Sequence, residues 1–114
     1  MKTLFAREGD RTFSPHPKFD GVEMALLVSG KDSPDASVCV LRIDPGIEIP
    51  AHIHEKEADS ILVRQGAGEI LVNGAWEAVA AGDHIFVPPG IEHGVRNGGK
   101  GSMELFIHHC PALL

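Results

Sequence analysis

The feature that most constrains this chain is how often turn residues cut it into short apolar runs. Runs over 22–29, 36–43, 47–54, 60–64, 69–72, 76–79, 85–87, 93–97 and 102–109 are separated by Gly30-Lys31-Asp32-Ser33-Pro34, Asp44-Pro45-Gly46, Gly66, Asn73-Gly74 and Pro88-Pro89-Gly90. Each run has strand length and is rich in branched residues. Asn73-Gly74 is the sharpest of these signals, because both residues of a tight hairpin turn need positive φ; it predicts a hairpin of 69–72 with 76–79. Pro50 lies inside the run 47–54 and cannot donate to a ladder, which predicts an edge or a bulge there. Many short strands at regular spacing predict an all-β sandwich or barrel with almost no helix.

Composition narrows the class. With 114 residues there is room for one core and one domain, 1–114. The formal net charge of −6, with no basic stripe, argues against nucleic acid or an anionic membrane as partner. No apolar run reaches the ~18 residues of a membrane helix, and Met1 to Asp10 has no apolar segment of signal-peptide type. The expected location is cytoplasmic. Cys39 and Cys110 are too few for a disulfide framework and are expected to be free core thiols.

Chemistry enters with His52 and His54. Two histidines at i and i+2 point the same way on a strand, whereas on a helix they would stand roughly 200° apart. Imidazole is the commonest transition-metal ligand, so the pair offers two ligands at once. A third histidine, His93, follows the Pro88-Pro89-Gly90 turn. In the strand reading Asp59, Ile61 and Val63 share one face of the next strand, and His93 shares a face with Val95. Three imidazoles and one carboxylate would then converge. Such a set suits one divalent transition metal (Fe, Mn, Ni, Co, Cu or Zn) with positions left open, and disfavours Ca²⁺ or Mg²⁺. The competing reading is a helix over 55–64, since Glu55, Lys56, Glu57 and Ala58 are good helix formers; it would carry Asp59 out of register with the histidines.

The spacing around these residues is itself informative. One stretch reads Gly46, five residues, His52-Ile53-His54, four residues, Asp59, six residues, Gly66; the other reads Gly82, five residues, Pro88, one residue, Gly90, two residues, His93, three residues, Asn97. These resemble the two sequence motifs of the cupin family, over 46–66 and 82–97. The second matches at every fixed position. The first departs at one, with Asp59 where most cupins carry a glutamate ligand. The resemblance implies a small antiparallel β-barrel of jelly-roll type. It also implies a metal held by His52, His54, Asp59 and His93. Aspartate is shorter than glutamate by about one C–C bond, roughly 1.5 Å. Asp59 is therefore either a direct ligand on a strand that has moved in, or a base or water-mediated partner. Glu57 shares its strand parity and could reach in instead.

The remaining candidates are weaker. His108 and His109 must face opposite ways, and the apolar parity of Met103, Leu105 and Ile107 puts His109 inside as a possible acid/base near the metal. Arg42 could clamp a substrate carboxylate or be a solvated strand arginine. His84 reads as structural, His16 as loop, and Asn97 as a backbone-bonding turn residue. No serine has an adjacent His/Asp arrangement, so a serine triad is unsupported. The apolar Leu4, Phe5, Phe13 and Phe19 suggest that 1–21 supplies an edge strand and a homodimer contact. Cupins span many activities, and fold does not choose among them. The expectation is a small metalloenzyme of oxygenase, isomerase or lyase type acting on a small polar organic molecule. The alternative is a non-catalytic metal-binding, ligand-binding or sensor module.

Overall fold

A computed structural model describes residues 3–114. Ten strands follow in order: β1 (Ser14–Pro15), β2 (Val22–Val28), β3 (Ser37–Ile43), β4 (Glu48–His52), β5 (Ala58–Gln65), β6 (Ala67–Val72), β7 (Ala75–Ala80), β8 (His84–Val87), β9 (His93–Arg96) and β10 (Met103–Cys110). The only helical element among the described residues is one 3-10 turn, Glu8–Asp10. The chain is all-β.

The strands form two antiparallel sheets, β1-β2-β3-β10-β5-β8 and β4-β9-β6-β7. This is a jelly-roll arrangement of two sheets rather than a strictly closed barrel. Alternation along each strand sends one side chain in two to the interior. Cys39, Leu41, Ile43, Ile61, Val63, Leu105 and Ile107 of the larger sheet meet Ile49, Ile70 and Val95 of the smaller in one apolar core. Each fully buried aliphatic side chain contributes roughly 1.5–3 kcal/mol relative to exposure.

The turns follow the sequence. Asn73 and Gly74 have φ of 53° and 85°, and β6 pairs with β7 in the register Val72↔Ala75 that this turn requires. β4 lies at the edge of its sheet, and its pairing with β9 slips between Ile49 and His52, around Pro50. No helix forms over 55–64; the polar Glu55–Lys56 stretch is loop and β5 begins at Ala58. Core burial of Ile61 and Val63 outweighs helix propensity there.

Four expectations change. His54 lies beyond the end of β4, which stops at His52. Cys110 is exposed whereas Cys39 is buried, because the alternation that turns His109 inward turns its neighbour out. Of the apolar N-terminal residues, Phe19 packs against the chain's own core, while Leu4 and Phe5 remain exposed. Only Ser14–Pro15 of that region forms a strand, at the sheet edge beside β2, and Met1 and Lys2 lie outside the described residues.

Candidate metal centre

Strand register brings the site together. His52 of β4 stands opposite His93 of β9, and Asp59 of β5 stands opposite His109 of β10. Directly opposed residues have Cβ atoms about 5 Å apart, so their side chains meet. The rings of His52 and His93 are centred 4.3 Å apart, those of His52 and His54 4.8 Å, and those of His54 and His93 5.1 Å. One ligating atom from each of these three histidines falls within 4.8 Å of the other two. Ile53, between the pair, is exposed and points away.

Backbone carbonyls fix two of the three tautomers. His52 Nδ1 lies 2.9 Å from Pro50 O, and His93 Nδ1 lies 2.9 Å from Ile91 O. A carbonyl only accepts, so each Nδ1 must carry the proton and donate. Each Nε2 is left with a lone pair aimed into the cluster, the arrangement that a metal-binding imidazole needs. The turn before His93 is tied to the other motif as well: Gly90 N donates to His54 O at 2.8 Å.

Asp59 sits among the imidazoles and is 4% exposed. Its Oδ2 lies 2.7 Å from His93 Nε2 and 3.7 Å from His54 Nε2, and its Oδ1 lies 3.2 Å from His109 Nε2. Yet His93 Nε2 and Asp59 Oδ1 have no hydrogen-bond partner in the protein, so the short contacts are close without being aligned. A neutral His93 with its proton on Nδ1 presents a lone pair to a carboxylate. Two buried acceptors at that distance repel unless a cation lies between them, either a proton or a metal ion. The donor set of imidazoles and one carboxylate fits a divalent transition metal.

Protonation follows the same logic. Burial, opposed chiefly by the Pro50 carbonyl for His52 and by the Asp59 charge for His54 and His109, holds these three imidazoles below the usual histidine value. For His93 burial is also the largest single influence. The contact with Asp59, the bond to Ile91 and the Asp59 charge together outweigh it, and its pKa is raised. Burial pushes the nearby Cys39 thiol up to about 12, so it is no thiolate ligand.

The cluster opens into a cavity of about 370 Å³, whose lining includes the apolar Leu41, Ile61, Leu105 and Ile107 together with His16, Lys18, Leu113 and Leu114. Of the other sequence candidates, His109 is buried on the inner face beside Asp59, at 6% exposure. Glu57 is half-buried before β5, close enough for its charge to act on His109. Arg42 is not brought to the cluster. It lies on the outer face of β3, bonds Glu104 Oε1 at 3.1 Å and covers the Phe13 ring. His84 bonds Ser60 on the outer face. Asn97 is fully buried, donating to Ile43 O and Gly101 O and accepting from Gly99 N.

One residue at the site was missed from sequence. Ser37, at the start of β3, is fully buried and lies 3.1 Å from His109 Nδ1. Its parity with Cys39 and Leu41 marks it as inward, but nothing local gives the pairing of β3 with β10. Ser37, His109 and Asp59 do not form a nucleophilic triad, since the hydroxyl has no access to the cavity and is already engaged by backbone N–H groups.

Comparison with known proteins agrees with this geometry. The family model described as Cupin domain matches residues 39–109, more than half of the chain. The oxalate-binding protein of Thermotoga maritima is 29% identical over 85 residues, 73% of this chain and 70% of that one. The mannose-1-phosphate guanylyltransferase of Klebsiella pneumoniae is 26% identical over 73 residues, and there the match spans only 16% of the relative's length. Among solved structures, a predicted oxalate decarboxylase from Thermotoga maritima superposes with a TM-score of 0.84 at 25% identity, over 96% of this chain and all of that one. With both motifs, the two-sheet topology and the family match in agreement, the chain belongs to the cupin family.

Proposed function

We propose that this cupin holds one divalent transition-metal ion on His52, His54 and His93, with Asp59 beside it, and acts as a small metalloenzyme on a small carboxylate-bearing molecule. The observation that carries the metal reading is the pair of buried acceptors, His93 Nε2 and an Asp59 oxygen, at 2.7 Å. The bound ion would supply a Lewis acid with coordination positions open to the cavity. The chain's own residues do the rest. The Pro50 and Ile91 carbonyls hold two imidazoles in register, Asp59 is placed to accept a proton, and the apolar walls limit water.

The ligand class rests on size and charge. A cavity of about 370 Å³ is at the small end for ligand sites. Lys18 is the only lysine or arginine lining it among the described residues, and its exposed ammonium suits a carboxylate. Oxalate, named for two of the similar proteins, is such a molecule. A non-catalytic binding module is the second reading. One observation favours it: Asp59 is the only carboxylate side chain lining the cavity among the described residues, and imidazoles already flank both its oxygens.

The test loads the protein separately with manganese, cobalt and zinc, then measures oxalate binding by calorimetry and follows CO₂ release and O₂ uptake. Metal-dependent binding with turnover supports the enzyme, and binding without turnover supports the module. Equal oxalate affinity with and without metal sinks both. The reading includes a homodimer, supported by the exposed Leu4 and Phe5. Sedimentation at micromolar concentration that finds only the 12.2 kDa species excludes it.

A further inference from the structure

Two ligand sets overlap in this cavity. One is His52, His54 and His93; the other is His54, Asp59 and His109, whose ligating atoms also fall within 4.8 Å of one another. Proximity alone does not say which set holds an ion. Hydrogen-bond accounting does.

Ser37, His109 and Asp59 lie in one row across β3, β10 and β5, in the registers His109↔Ser37 and His109↔Asp59. Ser37 Oγ accepts from Leu113 N at 3.0 Å and from Leu114 N at 3.2 Å. A hydroxyl has two acceptor sites and one donor. With both acceptor sites used, Ser37 can meet His109 Nδ1, 3.1 Å away, only by donating its proton. His109 Nδ1 is then an acceptor, and a neutral His109 must carry its hydrogen on Nε2. That is the atom 3.2 Å from Asp59 Oδ1, a buried oxygen that no protein donor satisfies in the present ring orientation. His52 and His93 are locked the opposite way, with the proton on Nδ1 and Nε2 free.

We propose that Ser37 is a positioning residue that decides which set binds the ion: it holds His109 in the Nε2–H form, turns it into a donor to Asp59 and withholds it from the metal. His109 then steadies the carboxylate by a modest ring rotation, and the ion is left to His52, His54 and His93. This deepens the proposed metal site and rests on it.

The first test needs neither metal nor variant. Long-range ¹H–¹⁵N correlation spectra of the metal-free protein report which nitrogen of each neutral imidazole carries hydrogen. The expected pattern is Nε2–H for His109 and Nδ1–H for His52. An Nδ1–H His109 overturns the proposal and leaves the metal reading standing. The second test is a gain of function read as zinc affinity. His52→Ala should weaken zinc binding by about 100-fold. Adding Ser37→Ala frees His109 Nδ1 to take the hydrogen and opens the second set, so the double variant should recover about tenfold or more. Adding Ser37→Thr, which keeps the hydroxyl, should recover nothing. A double variant that folds, by circular dichroism, and binds no better than His52→Ala overturns the proposal. Wild-type affinity in His52→Ala itself would instead overturn the metal reading.

Discussion

The strands that carry His52 and His93, β4 and β9, are neighbours in one sheet and are built in different ways. β9 is flanked on both sides, by β4 and β6, and His93, Gly94 and Val95 are all buried. Its far end is pinned by Asn97, whose amide spans Ile43 O and Gly101 O. β4 is an edge strand with Pro50 in its middle and one buried residue, Ile49. His52 is half-buried and His54 lies past the strand end. One side of the site is thus set by the core, and the other is laid against it from the solvent side. The difference teaches that His93 belongs to the fold as well as to the site, whereas His52 and His54 belong mainly to the site.

The largest expected effect separates these roles. His93→Ala and His52→Ala should both remove most metal binding. Only His93→Ala should also damage the metal-free protein, because His93 is 3% exposed and its loss leaves a cavity beside the buried Asp59. Truncating a fully buried side chain of this size costs about 2–5 kcal/mol, whereas truncating the half-buried His52 should cost about 1 kcal/mol or less. Denaturant titration of the two metal-free variants is the check. Equal losses would break the comparison.

Acidification sharpens the same contrast. His52, His54 and His109 have lowered values in the fold, so the unfolded chain takes up their protons first as pH falls through about 6.5. Each of these therefore removes stability on acidification. His93 is raised and acts in the opposite sense: its contribution is fully present below its unfolded value and lost as pH rises through its folded one. Burial lowers His16 as well, and four lowered imidazoles against one raised give a net loss of stability for the metal-free protein between pH 7 and 5, read as a falling melting temperature. His93→Ala should steepen that fall. A melting temperature that rises on acidification would show that the Asp59 contact outweighs burial of the other four rings.

Much of this was legible because turns are local. Asn73-Gly74 and Pro50 specify their backbone by themselves, and alternation along β10 assigns His109 to the interior and His108 to the outside. The family motifs, in turn, pointed to His52, His54 and His93 as a set, and their rings meet in the fold. What the sequence did not reveal depends on pairing between distant strands. Ser37 reaches His109 only because β3 and β10 are adjacent in a given register. Arg42 could be read as a clamp because nothing local tells that its neighbour in the sheet is Glu104. His54 was expected to share a strand with His52 by parity. It meets the cluster from the loop beyond β4, where Gly90 N holds its carbonyl.

Next in size is the contact between the two strands. A Cβ added at Gly94 would stand 2.9 Å from Ile49 O and 3.2 Å from Ala51 N, both backbone atoms of β4. A backbone cannot rotate aside as a side chain can, so β4 must move away from β9. Gly94→Ala should cost about 1–3 kcal/mol by overpacking. It should also lower metal affinity by about tenfold or more, since it displaces His52 relative to His93. Stability measured on the metal-free protein and affinity measured by zinc titration should fall together.

The smallest effect is expected at Pro50, and it discriminates because β4 depends on β9 rather than on its own stiffness. Pro50 is exposed on the edge strand, in the stretch where the β4–β9 register slips. Its carbonyl accepts the His52 Nδ1 proton at 2.9 Å, and that carbonyl survives replacement by alanine. What Pro50→Ala removes is the fixed φ, which limits the freedom of the unfolded chain. The expected loss is within about 0.5–1 kcal/mol of stability, with metal affinity changed by about threefold or less. If Pro50→Ala instead lowers affinity as much as Gly94→Ala, then β4 presents His52 through its own rigidity, and the picture of an edge strand laid against a fixed β9 fails.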